Sequence, residues 1–506
     1  MLYQIASSAL FGISAYLVDV EVDVSLGLPA FVTVGLPDAA VRESKERVKA
    51  VLKNCGYRYP SRKVIINLGP ADRRKEGSAF DLPISLGLLA DLDVFPPERL
   101  GDYVFLGELA LDGSLKSGKG ILSAALMARD KGFKGIVVPA ANLEEAALVQ
   151  GLEVFGLKNL SDVVRLLQGS EAPSPARFFQ DLFPKPDEEL DFSDIQGQQH
   201  VKRALGVASA GAHNVLMIGP PGAGKTMLAR RLPSILPQMT FEEMIEVTQI
   251  YSAAGLLRER GVVAERAFRA PHHTISNAGL IGGGLIPKPG EVTLAHHGIL
   301  FLDELPEFRK SALECLRQPV EDGRVTISRS SMAVTFPSAF MLVAAMNPFE
   351  NAVHPALSPG WEGTEKQRRR YYSVISGPLL DRIDIQIEVP KVEYREMTAQ
   401  AQGEGSAAIR LRVQKAREIQ LRRFRSHKIY SNSQMRTRDV KKWCLINSEG
   451  KKLMEMAVSK LGFSARAFTR VLKVARTIAD LEESEKIQTE HLSEAIQYRM
   501  LDKLFE

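Results

Sequence analysis

The sequence predicts a multi-domain α/β protein, with an N-terminal α+β block, a central parallel-sheet block around a phosphate loop, and a C-terminal helical block. Three observations predict it. Val18, Val20, Val22 and Val24 alternate with Asp19, Glu21 and Asp23, the two-residue period of a half-buried strand. Gly219-Pro220-Pro221-Gly222-Ala223-Gly224-Lys225-Thr226 follows the apolar run Val215–Ile218 and precedes helix-like sequence beginning at Met227. Past residue 391 strand signals almost vanish, and Val458, Leu461, Phe468, Val471, Leu472, Ala475 and Ile478 recur at helical spacing.

The first block spans 1–169. After the alternating strand, Phe31–Val34 reads as a second strand, and Asp38 is placed to cap a helix carrying Val41, Val48, Val51 and Leu52 on one face. Val64–Leu68 is a further strand, followed by an apolar helix near Leu82 to Leu92. A linker rich in Pro, Ser and charge covers 170–190. The second block, 191–390, alternates strands and helices and predicts a parallel sheet. The third, 391–506, is helical.

The chemistry concentrates in the second block. Strand, glycine-rich turn and helix are the context in which G-x-x-x-x-G-K-[ST] binds nucleotide phosphates. Backbone amides and a helix N-terminus meet the phosphate oxygens, Lys225 reaches the β and γ phosphates, and the Thr226 hydroxyl is offered to Mg2+. The apolar run Ile299–Leu302 leads into Asp303-Glu304, placing two carboxylates at a strand's C-terminal end, where open α/β sheets bind ligands. Asp303 is expected to hold Mg2+ and Glu304 to polarise the attacking water. A third strand, Phe340–Met346, ends at Asn347, whose amide can orient that water. Arg382, in Asp381-Arg382-Ile383-Asp384, reads in isolation as a surface salt-bridge residue, and as an exposed arginine at the end of the block it is also able to reach a neighbouring subunit's phosphate.

Composition narrows the classes. No apolar run approaches a membrane span, and the N-terminus lacks a basic leader, so a cytoplasmic protein without membrane attachment is expected. Cys55, Cys315 and Cys444 are too scattered for a disulfide framework or a cysteine-rich zinc site. Net charge is +5. From Arg410 to Lys442 twelve Lys/Arg are opposed within the run by Glu418 and Asp439 only, which suits either nucleic acid or a solvated helix face. Arg62, Lys63, Arg73, Arg74 and Lys75 form a second basic group with the same possible partner. Gly323–Ile327 and Ala333–Phe336 predict a β-hairpin with a basic tip.

Together the phosphate loop, Asp-Glu strand, Asn-Pro strand end and Asp-Arg pair resemble a ring-forming AAA+ ATPase. Phe268–Thr274, Gly282–Gly284 with Pro287–Glu291, Leu316–Glu321 and Ile375–Arg382 are similar to the magnesium-chelatase-like branch. Lys75–Ile84 resembles a Lon-protease-type domain, of the ribosomal S5 domain 2-like fold. The order of domains is that of the YifB/ComM family. The resemblance implies ATP and Mg2+, a homo-hexameric ring, a helical lid, and ATP-driven helicase or branch-migration activity on single-stranded or branched DNA. It implies that Arg382 is the arginine finger acting in trans, that Arg466 is the lid arginine called sensor 2, and that Ile195–Gln198 lies against adenine. Lys288, in the insertion Gly282–Glu291, and Arg329, in the hairpin, become candidate DNA contacts in a central pore.

The chain departs from that pattern twice. Asn347-Pro348 is followed by Phe349-Glu350-Asn351-Ala352 with no cysteine, so no zinc knuckle is expected. On the Lon-type motif Ala79, not Ser78, falls at the nucleophile position, and Lys119 is the only lysine near the place of a dyad base, so peptidase activity is not expected. His272-His273 and His296-His297 read as local structural or pore residues. An ATP-dependent protease or unfoldase and a metal-insertion subunit stand as the alternatives.

Overall fold

The structure, a computed structural model, describes residues 1–169, 174–176, 190–257, 261–329, 332–349, 365–392, 403–425 and 429–501. Most of the expected linker, and residues 350–364 that follow the Asn-Pro strand end, lie outside them. The chain divides into two compact units, Met1–Pro184 with Phe241–Ala264, and Lys185–Thr240 with Glu265–Glu506.

The first unit is built on seven strands: β1 (Leu2–Phe11), β2 (Ser14–Ser25), β3 (Ala30–Val34), β4 (Lys63–Gly69), β5 (Tyr103–Phe105), β6 (Gly135–Pro139) and β7 (Glu153–Leu157). Their order in the sheet is β3-β4-β2-β1-β5-β6-β7. β1 and β2 form a long antiparallel hairpin, and the four alternating valines of β2 face the core. Helix α1 (Ala39–Asn54) starts where expected, since the Asp38 carboxylate accepts the Val41 amide at 2.8 Å. Helix α2 (Asp81–Ala90) is buried on every side, and a Cβ at Gly87 would stand 2.4 Å from Val22. The one carboxylate α2 carries inward, Asp81, is held by the Arg47 guanidinium at 2.7 and 3.0 Å.

Two features of this unit differ from the sequence reading. Lys75 is not part of a basic surface: it is fully buried and its ammonium donates to the Pro70 carbonyl. Arg62, Lys63, Arg73 and Arg74 remain exposed, with Arg73 lying over the rings of Phe11 and Tyr16. Second, Phe241–Ala254, a helix inside the span expected for the central block, belongs to this unit. It is pinned there by the buried Glu145 carboxylate, which accepts Ser252 Oγ at 2.5 Å, Asn142 Nδ2 at 2.6 Å and the Leu122 amide at 3.2 Å. Burial raises the pKa of Glu145 although all three donors oppose the rise.

The second unit contains a five-stranded sheet of β8 (Val215–Ile218), β9 (Phe268–Arg269), β12 (Ile299–Leu302), β15 (Met341–Met346) and β16 (Ile385–Glu388), in the order β9-β12-β15-β8-β16. Every pairing is parallel. Its inner strands are continuous apolar runs, as a sheet covered on both faces requires. Two antiparallel hairpins branch from it, β10 (Gly282–Gly283) with β11 (Lys288–Pro289), and β13 (Arg324–Arg329) with β14 (Met332–Pro337).

Helices α3 (Gln199–Gly211), α4 (Lys225–Arg231) and α5 (Arg317–Asp322) belong to the sheet region, and α6 (Ser406–Arg423), α7 (Ser448–Leu461) and α8 (Ala465–Leu481) follow it. The C-terminal helices do not have a separate core: Val471, Leu472, Ala475 and Ile478 join Val215, Met217 and Val343 in one buried cluster. The apolar repeat read at helical spacing is divided between α7 and α8 at Gly462, whose φ is +71°, and Val458 is exposed.

Part of the basic run of the third block is paired within the chain. Arg417 is buried and donates to the Ser209 and Ala210 carbonyls. Arg423 pairs with Asp480 at 2.8 Å, Arg412 with Glu404 at 2.8 Å and Lys415 with Glu483 at 3.2 Å. Asp480 and Glu483 are remote in sequence and Glu404 lies ahead of the run, so the run seemed less opposed than it is. Arg422, Arg425, Arg436, Arg438, Lys441 and Lys442 stay exposed.

Candidate active site

Parallel pairing brings the C-terminal ends of β8, β12 and β15 side by side, and with them the phosphate loop, Asp303-Glu304 and Asn347. The loop turns through Gly222 and Gly224 at φ +78° and +88°, where a Cβ would be strained though nothing crowds it. Gly224 then caps α4, directing the helix N-terminus and its free amides at the loop.

The side chains converge as expected. Lys225 Nζ lies 2.9 Å from Asn347 Oδ1 and donates to the Gly219 and Pro220 carbonyls at 2.6 and 3.0 Å. Burial lowers the pKa of this ammonium, and the Asp303 carboxylate opposes the shift. Thr226 Oγ1 donates to Asp303 Oδ2 at 2.6 Å. A hydroxyl beside a carboxylate, both hard oxygen donors, fits Mg2+, which would neutralise charge on bound phosphates. Glu304 is exposed and adopts φ +52°, a left-handed conformation that turns it off the strand direction. Its carboxylate lies 3.9 Å from His273 Nδ1, and His273 stacks on His272 with 4.1 Å between ring centres. The histidine pair therefore stands beside the expected base, a placement that its position at the end of β9 could have suggested.

On the other side of the loop Gln198 Nε2 donates to Ala223 O at 3.0 Å and to Pro390 O at 2.8 Å, and Lys202 Nζ to Ile195 O at 2.6 Å. Ile195 is thus fixed next to the phosphate loop, in buried apolar surroundings suited to a base. Met227, in the first turn of α4, is exposed.

Arg382 is placed differently. Val215 pairs with Ile385 and Ile218 with Glu388, so Arg382 sits before the start of β16, at the sheet edge opposite the phosphate loop. Four residues of strand, about 13 Å, separate the two edges. Asn214, just before β8, fixes this corner: its Nδ2 donates to Arg382 O at 2.9 Å and its amide to Asp384 Oδ2 at 3.1 Å. The expected exposed arginine is in fact 8% exposed. Its guanidinium pairs with Glu321 of α5 and donates to Pro378 O at 2.6 Å. Burial lowers its pKa, and the guanidiniums of Arg466, Arg317 and Arg470 push the same way. Sequence reading placed Arg382 at the surface because Glu321, 61 residues earlier by their numbers, carries no sign of being its partner. Arg466 lies at the same edge, exposed and 4.0 Å from the Asp381 carboxylate. Neither arginine faces its own chain's phosphate loop.

The two hairpins lie against each other. Arg329 Nε donates to Gly284 O at 3.1 Å, which makes Arg329 a strut between them, while Lys288 is exposed. Leu285, at the tip of the β10–β11 turn, is 86% exposed. In the first unit Ser78 Oγ donates to Glu108.

Three family models match the chain. One described as magnesium chelatase, subunit ChlI, covers 191–397; one described as subunit ChlI of Mg-chelatase covers 20–142; and one for the ChlI C-terminal region covers 403–499. The competence protein ComM of Haemophilus influenzae is 43% identical over 99% of this chain and 98% of its own length. YifB of Escherichia coli is 40% identical over 98% of this chain and 96% of its own. Lon protease 2 of Bacillus subtilis is 29% identical over 33% of this chain and 34% of its own.

Proposed function

The chain belongs to the YifB/ComM family of magnesium-chelatase-like AAA+ proteins, and on that premise we propose that it is a ring-forming ATPase that couples ATP hydrolysis to movement on DNA. One observation carries the reading: the residues that bind and cleave ATP and the arginines expected to assist them lie on opposite edges of one sheet. A residue held at the far edge cannot serve its own phosphate loop, but it can serve that of a neighbour in a head-to-tail ring.

In that arrangement the loop amides and Lys225 hold the phosphates, Thr226 and Asp303 hold Mg2+, and Asn347 and Glu304 align a water for attack, with Glu304 taking its proton. Arg382 and Arg466 of the next subunit stabilise charge on the transferring phosphoryl group. The paired hairpins, with exposed Lys288, are the elements offered to the DNA backbone. The proposed setting is single-stranded or branched DNA during recombination, in the cytoplasm. Among the described residues no helix is long and apolar enough to cross a membrane. The N-terminal unit is read as a Lon-like domain that has lost its peptidase dyad.

The test is ATPase activity with and without branched DNA, together with DNA affinity across salt. Stimulation by DNA and a steep linear fall of log affinity with log salt are expected. A flat salt response with unstimulated turnover removes DNA as the track.

A further inference from the structure

We propose that Glu321 is a positioning residue that retains Arg382 within its own chain and links the β13–β14 hairpin to ATP cleavage in the adjoining subunit. The inference rests on the trans reading of Arg382 given above. The phrase Leu316–Glu321 marks the family, yet none of the chemistry so far uses it.

The corner around Arg382 is rich in positive charge. Arg317 is matched by Glu314 at 2.6 Å, Arg470 by the buried Asp384, and Arg466 approaches Asp381 only at 4.0 Å. Glu321, half exposed, matches Arg382. Among the described residues Arg382 Nε is buried without a hydrogen-bond partner. A guanidinium with a spare buried donor has bonds to gain by moving onto an anion. Removing the Glu321 charge leaves the corner with uncompensated guanidiniums and favours that move.

Glu321 is also mechanically placed. It sits in the last turn of α5, and Gly323, in the left-handed conformation at φ +64°, leads directly into β13. Ser338 N donates to Gly323 O at 2.8 Å, and Arg324 pairs with Pro337, closing the hairpin base. A tilt of the hairpin therefore turns the end of α5 and draws the carboxylate away from Arg382. The far end of the same hairpin carries Arg329, braced on Gly284.

The experiment uses the full chain and steady-state ATP hydrolysis, with and without a single-stranded homopolymer of deoxythymidine. Glu321→Gln is expected to raise the DNA-free kcat about threefold, the worth of a half-exposed ion pair. The KM for ATP stays unchanged and the stimulation by DNA shrinks. Glu321→Asp, which keeps the charge, restores the wild-type pattern. Should Glu321→Gln not fold, Glu321→Ser carries the same expectation. A charge-removing variant with wild-type kcat, or with lowered kcat at unchanged stimulation, overturns the proposal. Arg382→Ala separates the two layers: undiminished turnover sinks the trans reading itself, whereas lost turnover beside a wild-type-like Glu321→Gln sinks only the role of Glu321.

Discussion

At the scale of single residues the phosphate site is the part that sequence makes most legible. Each of its members ends an apolar strand or sits in a fixed loop motif, so chain-local pattern suffices to place Lys225, Thr226, Asp303, Glu304 and Asn347 on one edge. Their roles separate experimentally. Lys225→Ala removes the charge-assisted contact with the phosphates and is expected to weaken ATP binding about 10- to 100-fold, read by titration with a fluorescent nucleotide. Glu304→Gln keeps binding and lowers turnover by about 10²- to 10⁴-fold, the usual worth of a positioned base. Near-normal turnover in Glu304→Gln would take the base role from it. The surroundings of Arg382 were not legible. Its burial depends on Glu321 from another helix, and no local pattern reports such a contact. The same holds for Lys75, whose neighbours in sequence are exposed while it alone turns inward onto Pro70.

At the scale of elements the strands and caps were read closely: β8, the cap at Asp38 and the β13–β14 hairpin fall within a residue or two of their expected bounds. Period and capping are local properties, which is why they transfer. Grouping is not local. The helix Phe241–Ala254 leaves the central block, its Ser252 satisfying a buried carboxylate elsewhere, and the twelve-cation run showed only two opposing acids because further counterions come from 404 and from 480–483. The corner joining β8, β16 and α8 makes an element-scale prediction. Asp384 is wholly buried; burial alone would raise its pKa, but Arg470 and His213 hold it well below the usual carboxylate range. Because the folded value is depressed, its contribution is fully present above the ordinary aspartate pKa and is lost only as pH falls through the lower folded value. Asp384→Asn leaves Arg470 without its counterion and is expected to cost about 3–5 kcal/mol in urea unfolding at neutral pH. A loss under about 1 kcal/mol would show that the corner does not depend on this pair.

At the scale of the whole molecule the account requires more than one copy of the chain at each site of hydrolysis. The phosphate-binding edge of one subunit lacks the arginines, and the arginine edge lacks the loop. The most direct measurement mixes two inactive proteins. Arg382→Ala subunits retain Glu304, and Glu304→Gln subunits retain Arg382, so each mixed junction of the right order restores a complete site. The account predicts that the mixture hydrolyses ATP well above either protein alone, rising and falling with the mixing ratio. A mixture no more active than the sum of its parts, from subunits shown to co-assemble, would place Arg382 outside the neighbour's site and contradict it.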